Sequence, residues 1–165
     1  MQQTVGLVEP FGHGLAFPDW LDIDAPAAGA VKDVKVPGGY WMRPLGARLS
    51  ITTSADVADR LVTIDYLDAR GITRLRNGAG LVVEASTTAQ TFEWNSHRTL
   101  SEWAEGTPVF APLAPFFLPP GFVIRYNVTG IQATDAISGL SLWYEQFATG
   151  NLGMPLGPYT VAPDG

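Results

Sequence analysis

Apolar residues recur at every second position in several segments between residues 40 and 148. The segments are Leu49 and Ile51; Val62, Ile64 and Tyr66; Phe122, Ile124, Tyr126 and Val128; and Leu140, Leu142 and Tyr144. Successive side chains of a β-strand point to opposite faces, so this period predicts strands that each bury one face. Short strands of this kind, with turn residues about every ten positions, are typical of an antiparallel β-sandwich or jelly roll.

Turn residues separate the predicted strands. Residues 68–71 predict a turn in which Gly71 is free to adopt a positive φ, and residues 72–76 would return from it as a hairpin. Asn77 followed by Gly78 predicts a second turn. Both turns favour the antiparallel arrangement.

The prolines indicate the domain organisation. None of the 13 prolines falls within 45–107 or 121–154. Proline cannot donate to a β-ladder and is excluded from central strands, so these gaps predict the paired regions. We therefore expect an all-β fold with an extended N-terminal arm at 1–38, a β-sandwich domain at 39–150 and a C-terminal tail at 151–165.

The predicted arm and the proline-rich connector carry large apolar side chains that need a surface to lie on. For the arm, that surface is either its own domain or a neighbouring chain. In the connector, two adjacent phenylalanines are stiffened by prolines on both sides, which favours an interface. The candidate partner-contact residues are Phe17, Trp20, Leu21, Ile23, Phe116 and Phe117.

Composition narrows the choice of partners. Charged residues make up 16% of the chain and the formal net charge is −6, with no basic cluster. An acidic chain of this kind is a poor binder of phosphate backbones and anionic membranes, so we expect no nucleic acid and no membrane as partner. The chain has no cysteine, which excludes disulfides and thiolate chemistry. The N-terminal residues do not resemble a signal peptide, and no apolar run is long enough to span a membrane.

Residues suited to catalysis are few. His13 and His97 lack the spacing of metal-binding pairs, and phosphate-binding and nucleophile motifs are absent. Asp19, Asp22 and Asp24 offer oxygen ligands for calcium, but they lack the glycine and the distal Glu of an EF-hand loop. Solvated acids are the better interpretation. We expect no enzymatic activity, no cofactor and no metal ion.

Three segments taken together resemble small virion proteins of tailed bacteriophages. They are residues 40–67, with RLSITTS at 48–54 and ADRLVTIDY at 58–66; residues 118–125, LPPGFVIR; and residues 131–147, with IQATDAI and LWYEQF. The resemblance spans about residues 40 to 148. It implies a β-sandwich that is added to a capsid, neck or tail, and it carries no catalytic residues.

These observations lead to one expected function and two alternatives. We expect a capsid decoration (cementing) protein that stabilises the shell through protein–protein contacts. Its partners would be the major capsid protein and copies of itself, in a homo-oligomer for which a trimer is one candidate. It would be made in the bacterial cytoplasm and lie on the outer surface of the capsid. The alternatives are a neck or tail structural protein and a carbohydrate-binding β-sandwich, whose aromatic side chains would be exposed to stack on sugar rings.

Overall fold

A computed structural model describes residues 7–8, 15–96 and 108–148. The regular structure within these residues consists of strands alone. The strands are β1 (Leu7–Val8), β2 (Leu15–Ile23), β3 (Lys32–Lys35), β4 (Tyr40–Thr52), β5 (Arg60–Leu67), β6 (Thr73–Val83), β7 (Gln90–Asn95), β8 (Val109–Pro112), β9 (Val123–Thr129) and β10 (Ala136–Ala148).

The strands form two sheets that pack face to face. The larger sheet has the order β1-β2-β10-β4-β7-β8, and the smaller has the order β3-β9-β5-β6. Every pairing is antiparallel except that of β7 with β8. The predicted all-β sandwich is confirmed.

The core lies between the sheets and is filled by the residues that the alternation placed inward. Leu49 and Ile51 from the larger sheet and Ile64 and Ile124 from the smaller sheet are fully buried. They belong to one hydrophobic cluster that draws on both sheets. Apolar burial of this kind is the main favourable contribution to folding.

The two sheets begin earlier in the chain than residue 39, the expected start of the sandwich. β2 pairs with β10 along residues 17–23, and β3 pairs with β9. Val36 is fully buried in the core. β2 and β3, which fall within the expected arm, are therefore strands of the two sheets, and Ile23 of β2 packs against the core. The expected tail, residues 151–165, lies outside the described residues.

The predicted turn at residues 68–71 joins β5 to β6. The Oδ1 atom of Asp68 accepts hydrogen bonds from the backbone N–H groups of Arg70 and Ile72, at 2.9 and 3.0 Å. Gly71 adopts a φ of +79°, which glycine tolerates at little cost. The hairpin prediction is confirmed.

The predicted turn at Asn77 and Gly78 is wrong, because both residues lie inside β6. The side chain of Asn77 is buried and holds two neighbouring segments together. Its Nδ2 donates to the carbonyl of Ile64, and its Oδ1 accepts from the N–H of Ala114, each at 3.0 Å. These tertiary hydrogen bonds outweigh the local turn preference of the dipeptide.

A buried ion pair joins two connections at one end of the sandwich. Arg60 and Asp135 are both fully buried and hydrogen-bonded to each other. Asp135 also accepts hydrogen bonds from the backbone N–H groups of Ser54 and Gln132, each at 2.7 Å. Burial alone would raise the pKa of Asp135, but the hydrogen bonds from Arg60, Gln132 and Ser54 outweigh it and hold the pKa below its ordinary range.

Candidate functional site

The outer face of the larger sheet presents an aromatic pair from adjacent strands. Leu140 and Leu142 point into the core, so Trp143 between Leu142 and Tyr144 points outward. The register places Trp20 of β2 directly opposite Trp143. On its other side Trp143 is opposite Gly46, and a Cβ at Gly46 would be in ordinary van der Waals contact with the Trp143 ring, at 3.7 Å. Trp143 is therefore partly buried, whereas Trp20 is 57% exposed.

A shallow cavity of about 360 Å³ lies beside Trp20, where β2, β10 and β4 meet. We call it the Trp20 cleft; its lining residues include Trp20, Asp22, Arg48, Ser50 and Gly139. Gly139 lines the cleft with a φ of +57°, and a Cβ at this position would make an ordinary van der Waals contact of 3.6 Å with Ser50 Oγ. The register between β10 and β4 is also interrupted beside Gly139.

Trp20 is held in place despite its exposure. Its indole Nε1 donates a hydrogen bond to Asp22 Oδ1 at 3.0 Å. Its backbone N–H donates to Asp19 Oδ1 at 2.8 Å. Asp19 in turn accepts a hydrogen bond from the hydroxyl of Tyr144. The ring is thus an exposed aromatic surface whose orientation is fixed by its neighbours.

The polar groups of the cleft carry opposite charges. The sheet register pairs Asp22 of β2 with Ser141 of β10, and Ser141 with Arg48 of β4. Asp22 and Arg48 therefore lie on the same face of the sheet, with β10 between them. The Arg48 side chain is 53% exposed, and its Nε lies 3.7 Å from Glu93 Oε1, beyond hydrogen-bond distance. Its donors therefore remain available to a ligand.

A second group of aromatic side chains covers one end of the same outer face. We call it the connector patch: Phe116, Phe117, Arg43, Glu145 and Phe147. Arg43 donates to Glu145 Oε2, with Nε at 2.7 Å, and its guanidinium lies 5.2 Å from the centre of the Phe117 ring. The rings of Phe117 and Phe147 are 5.4 Å apart. Phe116 precedes Phe117 in the chain and is 57% exposed.

An apolar pair that the sequence analysis missed lies on the opposite broad face. Leu61 of β5 and Val82 of β6 are directly opposite in register, and both are more than 40% exposed. Since Val62 points into the core, Leu61 points outward. We call this pair the β5–β6 patch. Its sequence signal is Leu61 itself, an apolar residue at an outward position of the alternating run 61–66.

The predicted partner-contact residues take different positions. Trp20 borders the cleft, Phe116 is exposed, and Phe117 is partly buried. Leu21 and Ile23 are opposite the core residues Leu142 and Leu140, and Ile23 packs against the core. For Phe17 the structure describes the backbone pairing with Gln146.

The other aromatic and acidic candidates are placed as follows. Trp94 is buried in the core, whereas Trp143 is partly buried. Asp19 and Asp22 leave β2 on opposite faces, because Asp19 is opposite the inward Tyr144 and Asp22 is opposite the outward Ser141. Within the described part of the chain, no three His, Asp or Glu side chains are grouped so as to hold a metal ion.

The positions of the two histidines and the search for membrane-spanning helices complete the comparison with the sequence analysis. His13 and His97 lie outside the described residues. Residues 7–8, 15–96 and 108–148 contain no helix that is long and apolar enough to cross a membrane.

No protein-family model, curated protein or solved structure matches the chain.

Proposed function

We propose that the protein is a structural component of a tailed-bacteriophage particle, a decoration protein that cements the capsid shell through protein–protein contacts. The observation that carries this proposal is the exposure of apolar side chains in two separate patches, Phe116 in the connector patch and Leu61 with Val82 in the β5–β6 patch. Arg43 and Glu145 of the connector patch lie on the outer face of the larger sheet, with Phe116 in the connection before β9, and the β5–β6 patch lies on the outer face of the smaller sheet. A protein that joins neighbours needs contact surfaces on more than one side.

The connector patch has the features of a contact surface. Phe116 is presented by a segment that is anchored to the sheet, because Leu118 and Met42 exchange backbone hydrogen bonds of 2.7 and 2.9 Å. The guanidinium of Arg43, which is paired with Glu145, packs against the ring of the neighbouring Phe117. A large aromatic side chain on a rigid base loses little conformational freedom when it binds, so it favours association.

Weak apolar contacts can hold the protein on a shell when they are repeated over many copies. Burying apolar surface contributes about 25 cal/mol per Å², so a patch that exposes only one or two apolar side chains gives a weak single contact. When many copies bind to a repeating lattice and to one another, such contacts act together and the overall affinity rises. A homo-oligomer over a local symmetry axis, with the major capsid protein beneath it, meets this requirement.

The charge of the chain supports a position on the outside of the shell. A net charge of −6 is unfavourable beside packaged DNA, whose phosphates repel acidic surfaces. Charged residues form only 16% of the chain, which is below the usual share of about 25% for soluble domains. A position in the neck or tail fits the same surfaces and differs in the number of copies per particle.

Re-addition of the purified protein to particles tests the proposal. Phage particles assembled without this chain would be mixed with the wild-type protein, with Phe116→Ser or with Leu61→Ser, and the bound fraction measured by co-sedimentation. We expect the wild type to bind and both variants to bind at least about tenfold more weakly. Val57→Ser is the matched control, because Val57 is 97% exposed and belongs to neither patch.

Two outcomes would contradict the proposal. One is failure of the wild-type protein to bind the particles. The other is equal binding by the wild type, Phe116→Ser and Leu61→Ser, which would show that neither patch makes the contact.

A further inference from the structure

The Trp20 cleft combines an exposed aromatic ring, a carboxylate, a guanidinium and a hydroxyl around one cavity. The connector patch and the β5–β6 patch do not use these residues. We propose that the Trp20 cleft binds a neutral saccharide. This inference is independent of the proposed structural function and concerns a different part of the surface.

The aromatic component is suited to a sugar ring. The face of an indole carries a partial negative charge and attracts the weakly positive C–H groups that line one side of a pyranose. Trp20 is more than half exposed, and hydrogen bonds to Asp22 and Asp19 fix it. A ring that is already oriented loses little entropy when a sugar stacks on it.

The polar components are suited to hydroxyl groups. Asp22 uses Oδ1 to accept from Trp20, and among the described residues no donor engages its Oδ2, so that oxygen is available to accept from a sugar hydroxyl. The guanidinium of Arg48 presents several donors in a planar fork, which suits two adjacent oxygens. Ser50 Oγ shares a hydrogen bond of 2.8 Å with Thr91 Oγ1 and keeps capacity for another.

Charge and polarity favour a neutral sugar over other ligands. Asp22 shares the outer face with Arg48, and Glu93 Oε1 lies 3.7 Å from Arg48 Nε, so the site has no excess positive charge to hold a phosphate or a carboxylate. A purely apolar ligand would cover Asp22 and Arg48 without replacing their hydrogen bonds to water, which is unfavourable. A neutral polyhydroxylated ligand with one apolar side needs no positive charge in the site and replaces the hydrogen bonds of Asp22 and Arg48 to water.

The volume of the cleft indicates that it holds a short saccharide. A cavity of about 360 Å³ lies near the lower end of the usual range for ligand sites, about 300–1,000 Å³. The cleft is also open to solvent along the sheet. We therefore expect one or two sugar residues to be recognised, with modest affinity from each site.

The test uses the full-length protein and a defined set of sugars. The neutral probes are glucose, galactose, mannose, N-acetylglucosamine and their disaccharides, and the charged probes are N-acetylneuraminic acid and glucose 6-phosphate. Titrations would be followed by calorimetry and by nitrogen–proton correlation NMR. We expect saturable binding of at least one neutral probe, with the largest shifts at the Trp20 indole N–H and the Gly139 amide.

Variants assign the binding to the cleft. Trp20→Ala and Arg48→Gln should each weaken binding by about tenfold or more, and Trp20→Phe should retain part of the affinity because a ring remains. Phe116→Ala is the matched control, since Phe116 and Trp20 are both 57% exposed and Phe116 lies outside the cleft. It should bind as the wild type does.

Three results would overturn the inference. They are the absence of saturable binding by every neutral probe, unchanged binding by both Trp20→Ala and Arg48→Gln, and preferential binding of a charged probe. None of these results bears on particle binding, so the two proposals fail separately.

Discussion

The guanidinium of Arg60 and the carboxylate of Asp135 meet through two hydrogen bonds of 2.9 and 3.0 Å, although 75 positions separate them in the chain. Both side chains are fully buried. Arg60 begins β5, and Asp135 immediately precedes β10, so the pair joins the β4–β5 connection to the β9–β10 connection. The two sheets are therefore held together at this end by a paired charge as well as by the core.

Removing Arg60 should destabilise the fold strongly. Arg60→Met leaves the carboxylate of Asp135 buried without its counter-charge, and we expect a loss of about 3–5 kcal/mol in the free energy of unfolding. Arg125→Met is the control, because Arg125 and Asp33 form a two-bond pair of 2.7 and 2.8 Å at the surface. Exposed pairs contribute about 1 kcal/mol or less. Urea denaturation of both variants checks the difference, and equal losses would contradict the account.

Stability should decline in acid because of Asp135. Its pKa is lower in the folded protein than in the unfolded chain, so the stabilisation is complete above the unfolded-state value of about 4 and is lost as the pH falls below it. Asp135→Asn should give a smaller change of unfolding free energy with pH in this range. Denaturation series between neutral pH and strong acid measure the slopes. Parallel slopes for the two proteins would be inconsistent with this role.

Local patterns predicted which residues of each strand face the core, but they did not predict which segments come together. Alternation identified Leu49, Ile51 and Leu142 as inward, because burial of one face imposes a period of two. The pairing of Arg60 with Asp135 has no local signal, since it depends on how two distant connections meet. Asn77 was misassigned for the same reason, because its partners Ile64 and Ala114 are brought to it by the fold.

The candidate surfaces also combine residues that have a local sequence signal with contacts that depend on the fold. Trp20 and Phe116 were selected as large apolar residues in irregular segments, and both are exposed. The partnership of Trp20 with Arg48 arises from the register of three strands, which the sequence does not specify locally.

Gly130 should tolerate substitution less well than Gly71. Both have φ values near +78°, so alanine is strained at either position by about 1–2 kcal/mol. A Cβ at Gly130 would also overlap the carbonyl oxygen of Asp59, whereas no atom lies within 4 Å of a Cβ at Gly71. We expect Gly130→Ala to lose at least about twice as much stability as Gly71→Ala in thermal unfolding. Equal losses would show that the chain adjusts at Asp59.

Tyr126 should make the fold sensitive to alkali. Its hydroxyl crosses the core from the smaller sheet and donates a hydrogen bond of 2.6 Å to the carbonyl of Ser141 in the larger sheet. Burial raises the pKa of Tyr126, so its contribution to stability is present below the unfolded-state value of about 10 and is lost as the pH rises above it. Tyr126→Phe should cost about 1–3 kcal/mol at neutral pH and reduce the loss of stability in alkali. Chemical denaturation at neutral and alkaline pH measures both effects, and an unchanged alkaline loss would contradict the assignment.

The central claim is that the chain is a repeated component of a phage shell, and its copy number in the particle tests that claim most directly. Under the proposal a phage encodes the chain, and density-purified particles of that phage would be analysed by quantitative mass spectrometry against the major shell protein. A copy number comparable to that of the shell protein is the predicted result. A few copies per particle would move the protein to the neck or tail, and its absence from the particle would contradict the account.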